Sequence, residues 1–343
     1  MRRNKYHRIT PLRVMTVGLV LFGILAIVAF TSLCMGPARI HLKHVLMWIF
    51  DHQSIDQTTW MILFKIRLPR ILLAGVVGFS LSLGGVVFQA LLRNPLAEPF
   101  ILGISSGSAV GAITGIFFGL SMNLGVPLLS FTGALFTVLL VMGISRRQGG
   151  LESSTLLLTG VIVNAFFTAI IMFFISTTSD ARLHSMLFWL YGDLSQSRYS
   201  QLSISFPIII VASGIIYVFS RHLNLLVGGE DSALQMGVEV ELVKWVSFFG
   251  ISLITGIVIS FSGIIGFVGL IVPHLMRMFI GPDHRLLIPA SALGGSSFMI
   301  AADTLARTII SPSELPVGVV TAFLGAPFFI YLLKQRGSRW TQN

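Results

Sequence analysis

The chain has 343 residues, of which 54% are hydrophobic and only 10% charged, against about 25% charged in an ordinary soluble domain. With a mean hydropathy of +0.88, this composition excludes a string of soluble domains and indicates one polytopic bundle in a membrane. A net charge of +10 is compatible with nucleic-acid binding, but the cations gather at the ends of apolar runs, which reads as membrane orientation instead.

In chain order, Arg2, Arg3, Lys5, Arg8 and Arg13 precede an apolar run, Val14–Cys34. A secretory signal has a shorter apolar core, about 7–15 residues. The "TSLC" stretch also lacks the small residue of a lipoprotein cleavage site. The run is therefore expected to be an uncleaved first span behind a tail of residues 1–13. Cys34 is the only cysteine and cannot form an intramolecular disulfide. Ile71–Leu92 is the second span. The uncharged stretch Pro99–Ser145 is long enough for a third and fourth, with Ser121–Pro127 as the turn. Ser153–Ser179 and Tyr199–Ser220 are the fifth and sixth. Trp245–Met276 holds two more, reversing at "SFSGIIG" (Ser260–Gly266), the second of them short and interrupted at Pro273. Leu286–Ala302 and Leu315–Leu333 complete ten spans. Two further segments, His41–His52 and Ala181–Leu194, mix charges with Trp and Phe and are expected to lie in the membrane interface.

Fifteen Lys and Arg fall on the side of the N-terminus and eight on the other. The positive-inside rule puts both termini, and the tail 334–343, in the cytoplasm. An even span count agrees. Within "GISSGSAVGAITGIFFG", Gly103, Gly107, Gly111, Gly115 and Gly119 recur every four residues. Each glycine costs a water-soluble helix roughly 1 kcal/mol relative to alanine. In lipid, small residues let helices approach and pack. Four residues advance about 400° at 3.6 per turn, so the stripe winds around the helix by about 40° per step. It predicts close packing inside the subunit, against more than one neighbour or against one that crosses obliquely.

Several chemistries are missing. There is no phosphate-binding G-x-x-x-x-G-K-[ST] loop, no G-x-S-x-G and no H-E-x-x-H. An ion-driven carrier usually has carboxylates near the midplane, whereas Asp303 and Glu314 stand at the outer ends of spans. An enzyme is therefore not expected, and an ion-coupled secondary transporter is the alternative to a partner-driven one. His41 and His44, spaced i, i+3, could hold a metal; the plainer reading is surface histidines, and no metal site is assigned. The longest cytoplasmic loop, residues 221–244, contains "GGEDSALQMGV". Gly228 and Gly229 make a turn, Glu230 and Asp231 suit a helix N-terminus, Ala233 and Leu234 are apolar, and Gly237 ends the element. It reads either as a short helix that seats in a partner or as a solvated linker.

Five motifs in order then make the chain recognisable: "IRLPR" (Ile66–Arg70), "NPLAEP" (Asn94–Pro99), "LLLTGV" (Leu156–Val161), "GFVGLIVPHLMR" (Gly266–Arg277) with "DHR" (Asp283–Arg285), and "ELPVGVVTAFLGAPFFIYLL" (Glu314–Leu333). The chain resembles the FecCD-type permeases, the membrane subunits of ABC importers for iron–siderophore complexes, haem and vitamin B12. The resemblance implies a single all-α transmembrane domain of ten helices, the type II importer fold. It implies a homodimer in the inner membrane, two ATPase subunits on the cytoplasmic side and a periplasmic substrate-binding protein outside. ATP and magnesium would sit on the ATPase, with no cofactor on this chain and no nucleic-acid partner. It further implies that Arg67, Arg70 and Arg307 receive acidic groups of the binding protein, and that the Gly228–Gly237 segment couples to the ATPase. Ser153 and Ser154 would form a cytoplasmic gate, or simply begin a helix.

Overall fold

Lipid offers no hydrogen bonds to an open backbone, so apolar runs of this length must close their own, and helices do so. The computed structural model describes residues 10–38, 56–147, 150–178 and 180–336, which leaves His41–His52 and the outer parts of both tails outside the described residues. Its long helices are α1 (Pro11–Cys34), α2 (Gln57–Leu91), α4 (Gly125–Ser145), α5 (Ser153–Thr177), α7 (Tyr199–Val218), α10 (Val240–Ser262) and α12 (His284–Ala306). These seven are long and apolar enough to cross a membrane. Shorter apolar helices are α3 (Ile104–Phe117), α11 (Val268–Ile280) and α13 (Val317–Arg336), whose apolar part is Val317–Leu332. Between them lie α6 (Asp180–Tyr191), α8 (Ser220–Val227) and α9 (Glu230–Gln235). Two-residue strands β1 (Arg146–Arg147) and β2 (Gly150–Leu151) pair antiparallel.

The ten apolar helices match the ten runs of the sequence. Arg13 of α1 donates to the Ile280 carbonyl at the end of α11, and Ser32 bonds Thr304 near the end of α12. These contacts fix two ends of the bundle, called proximal (residue 10) and distal. Among the seven long helices, the apolar stretch of α2 is the most buried and that of α1 the least. The α2–α12 pair packs without space for even a methyl group. A Cβ on Gly78 would strike the Gly295 carbonyl, and Ser296 Oγ donates to the Gly75 carbonyl at 2.9 Å.

Three expectations change. The second span begins earlier, at Gln57, because a π-helical segment, Ile62–Arg67, joins it to the turn ahead. Pro69 follows that segment, has no N–H to give and crowds the carbonyl four residues back; π-type bonding absorbs the fault. Pro273 does not interrupt α11, which runs through it. The carbonyl that Pro273 cannot serve is that of Gly269, and Gln89 of α2 donates to it from Nε2 at 3.3 Å. A side chain from a neighbouring helix thus repairs the broken ladder. Finally, α6 is held by protein: Met186 and Trp189 are buried in a cluster with Ala109, Ile113 and Ile259.

The glycine ladder proves to be two devices. Only Gly107, Gly111 and Gly115 lie within α3, and all three face α4. A Cβ on Gly107 would strike Thr137, one on Gly111 the Leu129 carbonyl, and one on Gly115 would press on Val126. Gly133 of α4 answers against Gly107. Gly103 and Gly119 flank the helix at φ +78° and +71°, conformations that suit glycine. Close packing inside the subunit is as expected, and a single neighbour takes the central three residues.

Candidate functional site

At the distal end, Arg70 projects from the first turn of α2 beyond the π-segment, and Asp303 from the last turn of α12. Arg70 Nε donates to both Asp303 oxygens at 2.9 and 3.1 Å, and Nη1 to Glu314 Oε2 at 2.6 Å. Arg307 lies 3.6 Å from Asp303 and donates to the Ser32 carbonyl and hydroxyl at 2.7 and 2.6 Å. Arg67 donates to the Leu33 carbonyl at 2.7 Å and to the Ala38 carbonyl. The three arginines are 2–5% exposed and Asp303 1%. From the sequence, all three are expected to receive acidic groups of a binding protein; in the structure their guanidinium groups are engaged inside the subunit. Any incoming carboxylate must compete with Asp303, Glu314 and the Ser32, Leu33 and Ala38 carbonyls. Lys65 and Arg198 are exposed at this end, on neighbouring segments joined by the Tyr199 hydroxyl, which donates to the Phe64 carbonyl at 2.7 Å.

At the proximal end, the expected short helix is present as α9, opened by Gly229 at φ +120° and closed by Gly237 at φ +80°. Ala233 is fully buried beneath it, whereas Leu234 and Met236 are each 56% exposed. Glu230 is bridged to Lys244 of α10 at 2.6 Å, and this lysine is buried. Asp231 points to solvent. An apolar pair on a pinned, charged turn is a surface suited to a partner. α5 begins at Ser153, after the strand pair β1–β2. Its N-cap is Glu152, whose carboxylate accepts from the Ser154 and Thr155 hydroxyls, each at 2.7 Å.

Sequence reasoning missed four polar groups that organise the interior. Gln89 Oε1 accepts from Arg277 at 2.8 Å while its Nε2 serves Gly269. Asn224 clasps the start of α12, and Lys244 anchors α9. Glu98, in the connection from α2 to α3, faces the Phe267 N–H at the head of α11. Its Oε2 is buried without a hydrogen-bond partner, and burial pushes its carboxyl up to about 7 against the lowering effect of that N–H. The signal was the charged residue inside "NPLAEP", ahead of a proline and between two apolar runs.

A distal cavity of about 270 Å³ is lined by His184, Phe188, Trp189, Asp193, Gln201 and Ser260, among others. This is just under the range of about 300–1,000 Å³ usual for small-molecule sites. Among the described residues, no group of three or more His, Cys, Asp or Glu could hold a metal ion. His41 and His44 lie outside them.

A bundle of apolar helices with its charges gathered at the two ends, and a partner-ready turn at one of them, is the architecture of a multi-pass membrane permease. The model of the FecCD transport family matches residues 24–335, and the chain belongs to that family. It is 42% identical to the cobalamin import system permease protein BtuC of Halobacterium salinarum, over 83% of this chain and 77% of that protein. It is 38% identical to the hemin transport system permease protein HmuU of Yersinia pestis, over 92% and 95%. Among solved structures, an inward-facing metal-chelate type ABC transporter superposes with a TM-score of 0.81 at 32% identity, over 94% of this chain and 99% of that one.

Proposed function

We propose that this chain is the transmembrane permease subunit of an ATP-binding cassette importer that carries a metal chelate, a ferric siderophore, haem or cobalamin, into the cytoplasm. The observation that carries this reading is the family match along nearly the whole chain, with relatives named for cobalamin and hemin transport. The excess of Lys and Arg on the side of the N-terminus supports a cytoplasmic proximal end, and the membrane of such an importer is the inner one. Two copies form the pathway between them, and the distal cavity of about 270 Å³ within one copy is small for a chelate. Two ATPase subunits seat on α9 of the two copies and bind ATP and magnesium themselves. A periplasmic binding protein docks on the distal face that carries Arg67, Arg70 and Arg307, where exposed Lys65 and Arg198 meet it first.

In this mechanism, closure of the ATPase dimer moves α9, and the segment around Ser153 and Ser154 parts or closes at the head of α5. Access alternates between the two faces. Co-purification tests the partner surface: Leu234→Asp, on the exposed face of α9, abolishes assembly with the ATPase. Undiminished assembly would remove α9 as the seat. One observation favours a second reading, an ion-coupled carrier: the buried carboxyl of Glu98. Uptake driven by an ion gradient alone would establish that reading instead.

A further inference from the structure

α9 is pinned to α10 by Glu230 and Lys244, and a second route leaves it through α8. α8 is a short helix anchored by buried Leu223 and Leu226. From it Asn224 reaches the first turn of α12. Its Nδ2 donates to Asp283 Oδ1 at 2.9 Å, and its Oδ1 accepts from the His284 backbone N–H at 2.9 Å and from His284 Nδ1 at 2.7 Å. The amide orientation is unambiguous, because a backbone N–H only donates and a carboxylate only accepts. The same Asp283 caps α12 through the Arg285 N–H and binds the Arg285 side chain at 2.6 Å. His284 is 4% exposed, so the joint is built into protein.

What the joint holds is a long lever. α12 has 23 residues, about 34 Å at 1.5 Å each. It is locked along α2 by Gly78, Gly295 and the Ser296–Gly75 bond. At its far end it carries Asp303 and Arg307 of the distal cluster. A packed pair of this kind moves as one body rather than bending.

We propose that Asn224 is a positioning residue that joins the α8–α9 turn to α12, so that movement of α9 at the proximal end is delivered to the arginine cluster at the distal end. The proposal rests on α9 being the seat of the ATPase. It makes coupling between the ATPase and the binding protein depend on one amide that touches neither.

The test uses the full chain assembled with its ATPase and binding protein in proteoliposomes, with the binding protein as the probe. Two quantities are read: assembly with the ATPase, and the stimulation of ATP hydrolysis when binding protein is added. Asn224→Ala assembles and hydrolyses ATP, but stimulation drops at least about five-fold, the lower end of ordinary coupling between sites. Asn224→Asp, which sets two carboxylates against each other, loses stimulation likewise. Adding Asp283→Asn to Asn224→Asp exchanges donor and acceptor across that contact and restores part of the stimulation, at the expense of the Arg285 bonds that Asp283 Oδ1 accepts. Full stimulation in Asn224→Ala overturns the proposal. If the single variants fail to assemble, the exchange decides: an exchanged pair that assembles without regaining stimulation, or does not assemble, also overturns it. A wild-type chain that does not bind the ATPase refutes the underlying reading, and the joint with it.

Discussion

Asp303→Asn removes one charge and almost no volume from the distal cluster. In the wild type, Asp303 is 1% exposed and faces both Arg70 and Arg307. Breaking a buried pair by removing one partner costs about 3–5 kcal/mol, because the other charge is left uncompensated. Here Arg70 keeps Glu314 at 2.6 Å, a carboxylate with 35% side-chain exposure, whereas the hydrogen-bond partners left to Arg307 are neutral, Ser32 and Thr304, and Glu314 acts on it only through space. The lower end of the range applies, about 3 kcal/mol. At about 2.1 cal/mol/K of unfolding entropy per residue, a chain of 343 residues loses about 1.4 °C per kcal/mol, so the melting temperature should fall by roughly 4 °C or more. Tryptophan fluorescence during heating in detergent reads this directly. Glu314→Gln, at the half-exposed rim, should cost about 1 kcal/mol or less. If Asp303→Asn melts with the wild type, the arginines do not hold the distal ends of α2 and α12 together, and their role as free docking cations returns.

Three other outcomes follow from the interior. Gly111→Leu forces a side chain into the Leu129 carbonyl, so folded yield should collapse while any surviving protein keeps its substrate choice; normal expression with altered selectivity would contradict the packing role. Gln89→Leu orphans the Gly269 carbonyl and should cost about 1–3 kcal/mol; Pro273→Ala, which returns an N–H to that carbonyl, should recover part of it, and purely additive melting shifts would show the two do not interact. The Glu98 carboxyl is raised from 4.5 to about 7, so the folded state binds more protons than the unfolded chain between those values. Stability therefore falls as pH rises through that window. Glu98→Gln should melt with the wild type near pH 4.5 and above it at pH 8, by up to about 3 kcal/mol at 1.36 kcal/mol per unit. The same difference at both pH values would refute the assignment.

The long apolar runs were legible because hydropathy and helix length are local properties, and so were the reversal before α11 and the short helix α9, whose glycines mark its ends. What was not legible depends on partners remote in sequence. Arg70 looked like a receiver of a partner's acidic group at the end of a span because Asp303 is 233 residues away. Pro273 looked like a break because the amide that repairs it, Gln89, belongs to another helix. α2 looked shorter because Lys65, Arg67 and Arg70 end the apolar run although the helix continues. Gly103 and Gly119 looked like helix residues because period alone does not reveal φ. Asn224 gave no signal at all, since a lone amide on a short helix acquires a role only when the start of α12 is brought against it.

ATPase-driven import is tested most directly by uptake. The purified chain is reconstituted alone, or with its ATPase and binding protein, and offered radiolabelled cobalamin, haemin or a ferric hydroxamate, whichever the binding protein retains. Accumulation should require both partners and ATP and should stop with vanadate. Accumulation by the chain alone, driven by a pH or sodium gradient, would contradict the assignment.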